Sequence, residues 1–306
     1  MRNKLYIIGN GFDMHHEVNC SYTDFYNYCK KNNKELCANI EKFYYDSNEL
    51  WYDFENELLN IQLSFILDDC RILHPNWNTC YKEMYQFIDC VRDEVDNLKY
   101  SLTEAFNSWV KSLNKGNLRK KLNIDVKHSL FISFNYTDTL EDLYKVSNDS
   151  ILYIHGKAND KNSDLLFGHG ASKDKISELI STDNILEADA LETVGDFLFA
   201  LRKDTGYIIN ENQSFFSKLK DIDEIYVLGL SLSDVDLPYL KKIKQSTQSD
   251  SKWFISYYKD KENEKTDKAI VKIKSAMEKL EIDKSNFNLF ELSKIDELFL
   301  PKIFNE

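Results

Sequence analysis

Two polar side chains stand where predicted strands end, and both belong to residue types that can act on a bound ligand. Asn135 closes the apolar run SLFISFN (129–135), and His155 is the last side chain before the glycine of ILYIHG (151–156). An asparagine amide both donates and accepts hydrogen bonds, so it can orient a water molecule or hold ribose hydroxyls. A histidine can take up a proton near neutral pH and act as a general base. A histidine at such a position, taken alone, is more often a hydrogen-bonded structural residue.

The segment GNGFD (9–13) places two glycines within three positions, directly after an apolar run typical of a buried parallel strand. It is not a G-x-G-x-x-G motif, because Met14 stands where the third glycine would be. A tight glycine turn lets backbone N–H groups approach a phosphate. Asn10 or Asp13 could bond a ribose or cap the following helix, and for Asp13 both interpretations stay open. The turn predicts a nucleotide-binding loop.

Two more segments carry candidate ligand contacts. In YVLGLSLSDVDLPYLKKI (226–243), a strand and a glycine are followed by Ser231, Ser233, Asp234 and Asp236. They could contact the ribose or adenine end of a nucleotide, or they could cap the helix that follows. In DLLFGHG (164–170), His169 is a second histidine candidate.

The distribution of glycine separates a ligand site from ordinary strand endings. The chain has 9 glycines, whereas average usage of about 7% would give roughly 21. Six of them fall in four short stretches that close or lie within predicted strands: Gly9 and Gly11, Gly156, Gly168 and Gly170, and Gly229. Glycines often simply end strands, but ligands of open α/β sheets bind at the carboxyl ends of strands. Four such stretches together favour one ligand crevice.

The elements that would position these residues form an alternating pattern. Apolar runs of strand length cover residues 4–10, 129–135, 151–156, 164–170, 224–231, 252–258 and 286–292. Segments of helical spacing separate them after residue 135. This alternation predicts an α/β fold with a Rossmann-like parallel sheet.

A long stretch after the first strand has a different texture. From about residue 23 to residue 123 there is one glycine, Gly116, and one proline, Pro75. Within LWYDFENELLNIQLSFIL (50–67), four apolar residues share one helical face: Leu50, Phe54, Leu58 and Ile61. We therefore predict a Rossmann-like nucleotide-binding core made of residues 1–23 and 126–306, with a helical insertion over 24–125.

Charge limits the kinds of partner. The formal net charge is -12, whereas proteins that grip nucleic acid usually present a basic face. Nucleic acid is therefore disfavoured as the main partner, while an anionic small ligand stays compatible if backbone N–H groups hold it.

The N-terminus and the cysteines suggest a cytoplasmic protein. We expect no signal peptide and no membrane span, because the apolar runs are too short. The six cysteines include no C-x-x-C pair, so we expect reduced thiols and no zinc site.

The motifs, taken in order, resemble a known family. GNGFD, SYTDF, W-x-D-F-E (51–55), SFNYT-x-T-L-E, Y-I-H-G and GLSLSDVD-x-x-Y are similar to those of the AbiH family of bacterial phage abortive-infection proteins, from about residue 5 to 245. More distantly, the asparagine at a strand end, the H-G pair and G-x-S-x-x-D resemble sirtuin-like domains of prokaryotic defence proteins, several of which hydrolyse NAD.

The sirtuin-like resemblance implies a set of roles. It makes Asn135 and His155 the catalytic pair for cleavage of the nicotinamide–ribose bond of NAD, with His155 deprotonating the attacking water or a ribose hydroxyl. It makes Gly9, Asn10 and Gly11 part of the nucleotide loop. We further expect nucleotide contacts from residues of the same segments: Phe12, Asp13, Tyr136, Gly156, Gly229, Ser231 and Asp234. NAD would be substrate or ligand, and neither a cofactor nor a metal is required. A four-cysteine zinc module is missing and GNGFD replaces G-A-G-x-S, which argues against protein deacylation.

Three functions remain open at this point. The first is a defence effector that hydrolyses NAD, and the second is a nucleotide-binding sensor of the same fold without turnover. The third is an effector that acts on another target such as nucleic acid, which the acidic charge disfavours. A phage-derived trigger or partner protein and a homo-oligomer are compatible with each function.

Overall fold

The computed structural model shows a chain that divides into two compact units. It describes residues 2–44, 50–51, 53–76, 81–158, 160, 165–259 and 263–299. The first unit comprises Met1–Cys20, Leu113–Leu165 and Asp204–Glu306, and the second comprises Ser21–Ser112 and Leu166–Lys203. The sequence analysis placed the insertion at 24–125, whereas the second unit also includes a later segment of the chain.

The first unit is built on a parallel sheet. Within the described residues six strands pair in the order β3-β2-β1-β4-β5-β6, all parallel. The strands are β1 (Lys4–Ile8), β2 (Ser129–Ser133), β3 (Ile151–Tyr153), β4 (Glu224–Leu228), β5 (Lys252–Tyr257) and β6 (Phe287–Glu291). This is the strand order of the Rossmann fold. The predicted Rossmann-like α/β class is confirmed.

Helices make up most of the remaining described chain. They are α1 (Asn10–His15), α2 (Tyr22–Asn32), α3 (Lys34–Phe43), α4 (Phe54–Glu57), α5 (Leu63–Asp69), α6 (Tyr81–Lys111), α7 (Thr139–Tyr144), α8 (Lys173–Leu179), α9 (Ile185–Ala200), α10 (Thr205–Glu211), α11 (Gln213–Phe216), α12 (Leu237–Ser246) and α13 (Asn263–Lys279). Short 3-10 helices cover Arg71–Leu73, Leu118–Lys120, Asn148–Ser150, Ser217–Asp221, Lys284–Asn286 and Leu292–Phe299.

The central strands are buried on both faces, which explains their continuous apolar sequences. In β1, Leu5 and Ile7 belong to one core cluster, while Tyr6 and Ile8 belong to another. The Tyr6 ring stacks on Phe131 of β2 at 5.3 Å between centroids and on Tyr226 of β4 at 4.9 Å. These rings occupy paired positions in the sheet. Such cross-strand packing fixes the register and therefore aligns the carboxyl ends of the three strands.

The second unit is helical in its described residues. It contains α2 to α6, followed later in the chain by α8 and α9. The continuous helical face predicted over 50–67 is wrong, because α4 ends at Glu57 and α5 begins at Leu63. The N–H of Gln62 bonds instead to the carbonyl of Phe43, 2.8 Å away on α3. The four apolar residues of that face are nevertheless all buried.

The strand predicted over 164–170 is also wrong in its described part, 165–170. His169 forms an isolated bridge with Arg202, and the segment is otherwise a loop. From residue 166 it belongs to the second unit, so Gly168 and Gly170 do not follow a strand of the sheet. Residues 161–164 lie outside the described residues.

The expectation of uniformly reduced cysteines is wrong for one pair. Cys70 and Cys90 form a disulfide within the second unit. Cys20, Cys29 and Cys37 are free and buried, and Cys80 lies outside the described residues. In the part of the chain that the structure describes, no helix combines the length and apolarity needed to span a membrane.

Candidate functional site

The strand order places a topological switch point at the carboxyl ends of β1 and β4. From β1 the chain proceeds through β2 to β3 on one side, and β4 begins the other side of the sheet. Crevices at such points are where open α/β sheets bind their ligands. Two segments leave this edge: the glycine turn after β1, in which Gly9 precedes α1 and residues 10–13 already belong to that helix, and the segment 229–236 after β4.

These two loops pack backbone against backbone. The N–H of Gly9 donates to the carbonyl of Leu228 at 2.9 Å, and the N–H of Gly11 donates to Gly229 at 2.8 Å. A Cβ added to Gly9 would lie 2.4 Å from the Cα of Leu230. The glycines therefore permit a close approach that a side chain would block. Both N–H groups serve this contact within the protein.

The loop after β4 is held in an unusual backbone conformation. Gly229 has φ of 68° and Leu232 has φ of 53°, and Leu232 is buried despite the strain that a left-handed conformation imposes on a residue with a side chain. The N–H of Gly229 donates to the Ser256 hydroxyl at 2.9 Å. The N–H and hydroxyl of Ser233 both donate to Oδ2 of Asp236, at 3.1 and 2.8 Å. Buried Asp236 thus organises the entry into α12.

Several predicted nucleotide contacts have partners within the protein. Ser231 and Asp234 are exposed, and Asp234 pairs with Lys279 at 2.7 Å. The Asn10 amide donates to the carbonyl of Cys20 at 3.1 Å. Phe12 is fully buried and is therefore in a packing position.

Asn135 joins the end of β2 to the glycine turn. Its side chain is buried, and its Nδ2 donates to the carbonyl oxygen of Gly9 at 3.0 Å. The structure thus brings together two predicted site residues that are 126 positions apart in the chain.

Asp13 belongs to a buried polar cluster that includes residues of the loop after β2. Its side chain is 1 % exposed, and Oδ2 accepts the hydroxyl proton of Thr137. The Thr137 and Thr139 hydroxyl oxygens are 3.1 Å apart. Oδ1 of Asp13 has no hydrogen-bond partner among the described residues. Burial raises the pKa of the carboxyl to about 6, although the hydroxyls of Thr137 and Thr139 and the amide of Asn135 act in the opposite direction.

His155 lies among three aromatic rings, two from the segment after β2 and one from α12. Its ring centroid is 5.4 Å from that of Phe134, 6.3 Å from Tyr136 and 5.8 Å from Tyr239 of α12. Tyr136 and Phe134 follow β2, and His155 follows β3. Gly156, with φ of 85°, turns the chain directly after it.

Two other histidines have structural roles. Nε2 of His169 donates to the carbonyl of Leu198 at 2.9 Å, and Nδ1 accepts the N–H of Ala171 at 3.2 Å. His16 contacts the carbonyl of Phe12 and the hydroxyl of Tyr144, both at 2.7 Å. Burial lowers the pKa of each imidazole to about 4, so both are neutral near pH 7.

A charged cluster lies beside the polar one. Nζ of Lys157 is 3.2 Å from Asp138 and 2.6 Å from Glu141, and the Tyr153 hydroxyl donates to Glu141 at 3.1 Å. The pKa of Lys157 is raised because its carboxylate partners outweigh the opposing effect of burial. Lys157 was not among the predicted site residues, although it follows the H-G pair directly.

Most of the chain matches one known protein family. No curated protein sequence matches the chain significantly. The model of the family described as bacteriophage abortive infection AbiH matches residues 5–257. That range contains the glycine turn, Asn135, His155 and the loop after β4. The match covers well over half of the 306 residues, and the chain therefore belongs to the AbiH family of bacteriophage abortive-infection proteins.

Proposed function

We propose that this AbiH protein is an abortive-infection effector that binds NAD at the switch point and hydrolyses its nicotinamide–ribose bond. The hydrogen bond from Asn135 to the carbonyl of Gly9 carries the proposal. It places an amide suited to a ribose or a water molecule directly on the glycine turn, at the edge of the sheet where dinucleotides bind.

The chemistry suits a site with few catalytic groups. The nicotinamide of NAD is a cationic leaving group, so cleavage depends on positioning more than on strong acid catalysis. The loops after β1 and β4 would hold the dinucleotide. Asn135 would orient the ribose or the attacking water, and His155 would contact the same ribose from the end of β3. Water adds to C1′ of the ribose, and nicotinamide leaves with the electron pair of the broken bond.

The setting of the reaction is part of the proposal. An effector that lowers NAD during infection acts where NAD is held, in the cytoplasm, and a phage component would release its activity. The Cys70–Cys90 disulfide makes the compartment worth measuring, because disulfides are rare in reducing cytoplasm.

The test is the fate of NAD with purified protein. Wild-type protein mixed with lysate from phage-infected cells should convert NAD to ADP-ribose and nicotinamide, measured by chromatography. Asn135→Ala should abolish the conversion and keep its melting temperature. Asn148→Ala, at an exposed position of the same unit, is the matched control and should keep full activity. Flat NAD levels with a wild-type protein that still protects cells would refute hydrolysis.

A nucleotide-binding sensor without turnover is the second candidate. The aromatic rings around His155 favour it, because an enclosed imidazole can pack as well as react. Calorimetry distinguishes the two functions: a sensor binds NAD in a manner that depends on Asn135, and the nucleotide is recovered unchanged.

A further inference from the structure

We propose that Asp13 is the acid–base residue of this site and that its Oδ1 takes the proton of the attacking water. The inference rests on the proposed NAD hydrolysis. From the sequence we predict a ribose contact or a helix cap for Asp13, and the sirtuin-like resemblance implies that His155 takes the proton.

The first support is an open acceptor atom in a buried place. Oδ2 of Asp13 accepts the hydroxyl proton of Thr137, whereas Oδ1 has no partner among the described residues. Buried polar atoms are nearly always hydrogen-bonded, and exceptions point to a functional role or to a ligand. The atom that completes Oδ1 must be a donor, because an ionised carboxylate only accepts.

The second support is the position of the carboxyl. Asp13 lies on α1, four residues after Gly9, whose carbonyl binds Asn135. Its partner Thr137 lies two residues after Asn135 and is half-buried. The carboxyl is thus hydrogen-bonded to the loop that also carries the proposed catalytic amide.

The third support is electrostatic. Burial raises the pKa of Asp13 to about 6, so near pH 7 the group is mostly ionised and yet basic enough to take a proton. An acid–base group works best when its pKa lies near the operating pH. The hydroxyl of Thr137 opposes the increase because it donates to the charged form.

The charged groups around Asp13 are largely compensated by one another. Tyr153, on β3, interacts electrostatically with Asp13, Asp138 and Glu141. Lys157 pairs with both Asp138 and Glu141. On its own helix Asp13 has His15 and, just beyond the helix end, His16, whose pKa values burial lowers. The ionisation of Asp13 is therefore governed mainly by its burial and by its hydroxyl neighbours.

The step balances without another reagent. One proton of the water moves to Oδ1 of Asp13 while the water oxygen bonds to C1′. The bond from C1′ to the nicotinamide nitrogen breaks, and its electron pair neutralises the pyridinium. Asp13 then releases the proton to solvent. Asn135 holds the ribose in this sequence, and His155 lines the site.

The test compares pH profiles of kcat/KM for NAD hydrolysis by the activated full-length protein. Wild type should lose activity as the pH falls through about 6. Asp13→Asn should be slower by about 10²–10⁴-fold, the usual contribution of a general base, and should lack this decline. Thr137→Val removes the donor to the carboxylate, so the pH at which its activity declines should be higher than in wild type.

The outcomes separate the two proposals. Hydrolysis by Asp13→Asn at the wild-type rate, or an unshifted profile in Thr137→Val, overturns the role of Asp13 alone. If Asp13→Asn does not fold, the pH profile of Thr137→Val still tests the role of Asp13. A wild-type protein that hydrolyses no NAD under activating conditions overturns the proposed function, and the acid–base role with it.

Discussion

Replacing Gly229 by alanine adds one methyl group where the loops after β1 and β4 meet. The φ of Gly229 is 68°, and this conformation costs an L-residue about 1–2 kcal/mol. The new Cβ would lie 2.1 Å from the backbone nitrogen of Phe12 and 2.8 Å from the Cα of Gly11. Both are backbone atoms, so the turn itself must move, and overpacking of this kind costs typically about 1–3 kcal/mol. We expect the free energy of unfolding to fall by about 2–5 kcal/mol.

Gly206 provides a matched control in the same unit of the chain. It lies in α10, and its added Cβ would meet Oδ1 of Asp204 at 3.5 Å, an ordinary contact. Gly206→Ala should therefore be neutral or stabilising by up to about 1 kcal/mol. Urea titration followed by circular dichroism measures both variants. A loss below about 1 kcal/mol for Gly229→Ala, less than the backbone strain alone, would refute the close packing of the two loops.

Three further perturbations test other parts of the chain by the same unfolding assay. Cys70→Ser should lower the free energy of unfolding by about 3 kcal/mol, because the bond to Cys90 closes a loop with a sequence separation of 20. If mass spectrometry of alkylated wild-type protein finds both thiols modified, the disulfide is absent and this prediction is contradicted. Lys203→Met removes the ammonium 2.6 Å from the Glu55 carboxylate and should lower the free energy of unfolding by about 3 kcal/mol. An unchanged urea midpoint would show that the ion pair does not contribute to stability. The pKa of His16 is lowered from 6.5 to about 4, so its contribution to stability is complete above pH 6.5 and declines as the pH falls to 4. His16→Gln should show a shallower decline over that interval.

The sheet could be predicted because its strands are short, apolar and buried on both faces. Runs such as the one in β1 have no helical period, and they end at glycine or a polar residue. The same rule failed for 164–170, where the apolar run is a loop of the second unit. A short apolar run indicates burial, but only contacts distant in sequence decide whether the buried segment pairs as a strand. The prediction of one helical face over 50–67 failed for a related reason, because the N–H of Gln62 bonds to a carbonyl of α3.

The candidate site could be predicted in part. Glycines at strand ends, with Asn135 after β2, located the switch point, because these residue types mark the carboxyl edge of a parallel sheet. The exposure of Ser231 and Asp234 could not be foreseen. The left-handed conformation of Leu232, which lies between them, is likewise not suggested by residue type. That Oδ1 of Asp13 lacks a partner could not be predicted either, because this depends on which hydroxyl of another loop reaches the carboxyl.

The packing of the glycine turn bears on how a ligand would be recognised. In many nucleotide folds a glycine turn presents backbone N–H groups to phosphate. Here the N–H groups of Gly9 and Gly11 are bonded to the end of β4 and to the loop after it. We therefore expect recognition to depend more on the side chains of the neighbouring β2 loop, above all Asn135 and Thr137. Thr137→Val should then weaken NAD binding measured by calorimetry, even in a protein kept inactive by the absence of its trigger. Unchanged affinity of that variant for NAD would indicate that backbone groups, and not the Thr137 side chain, recognise the nucleotide.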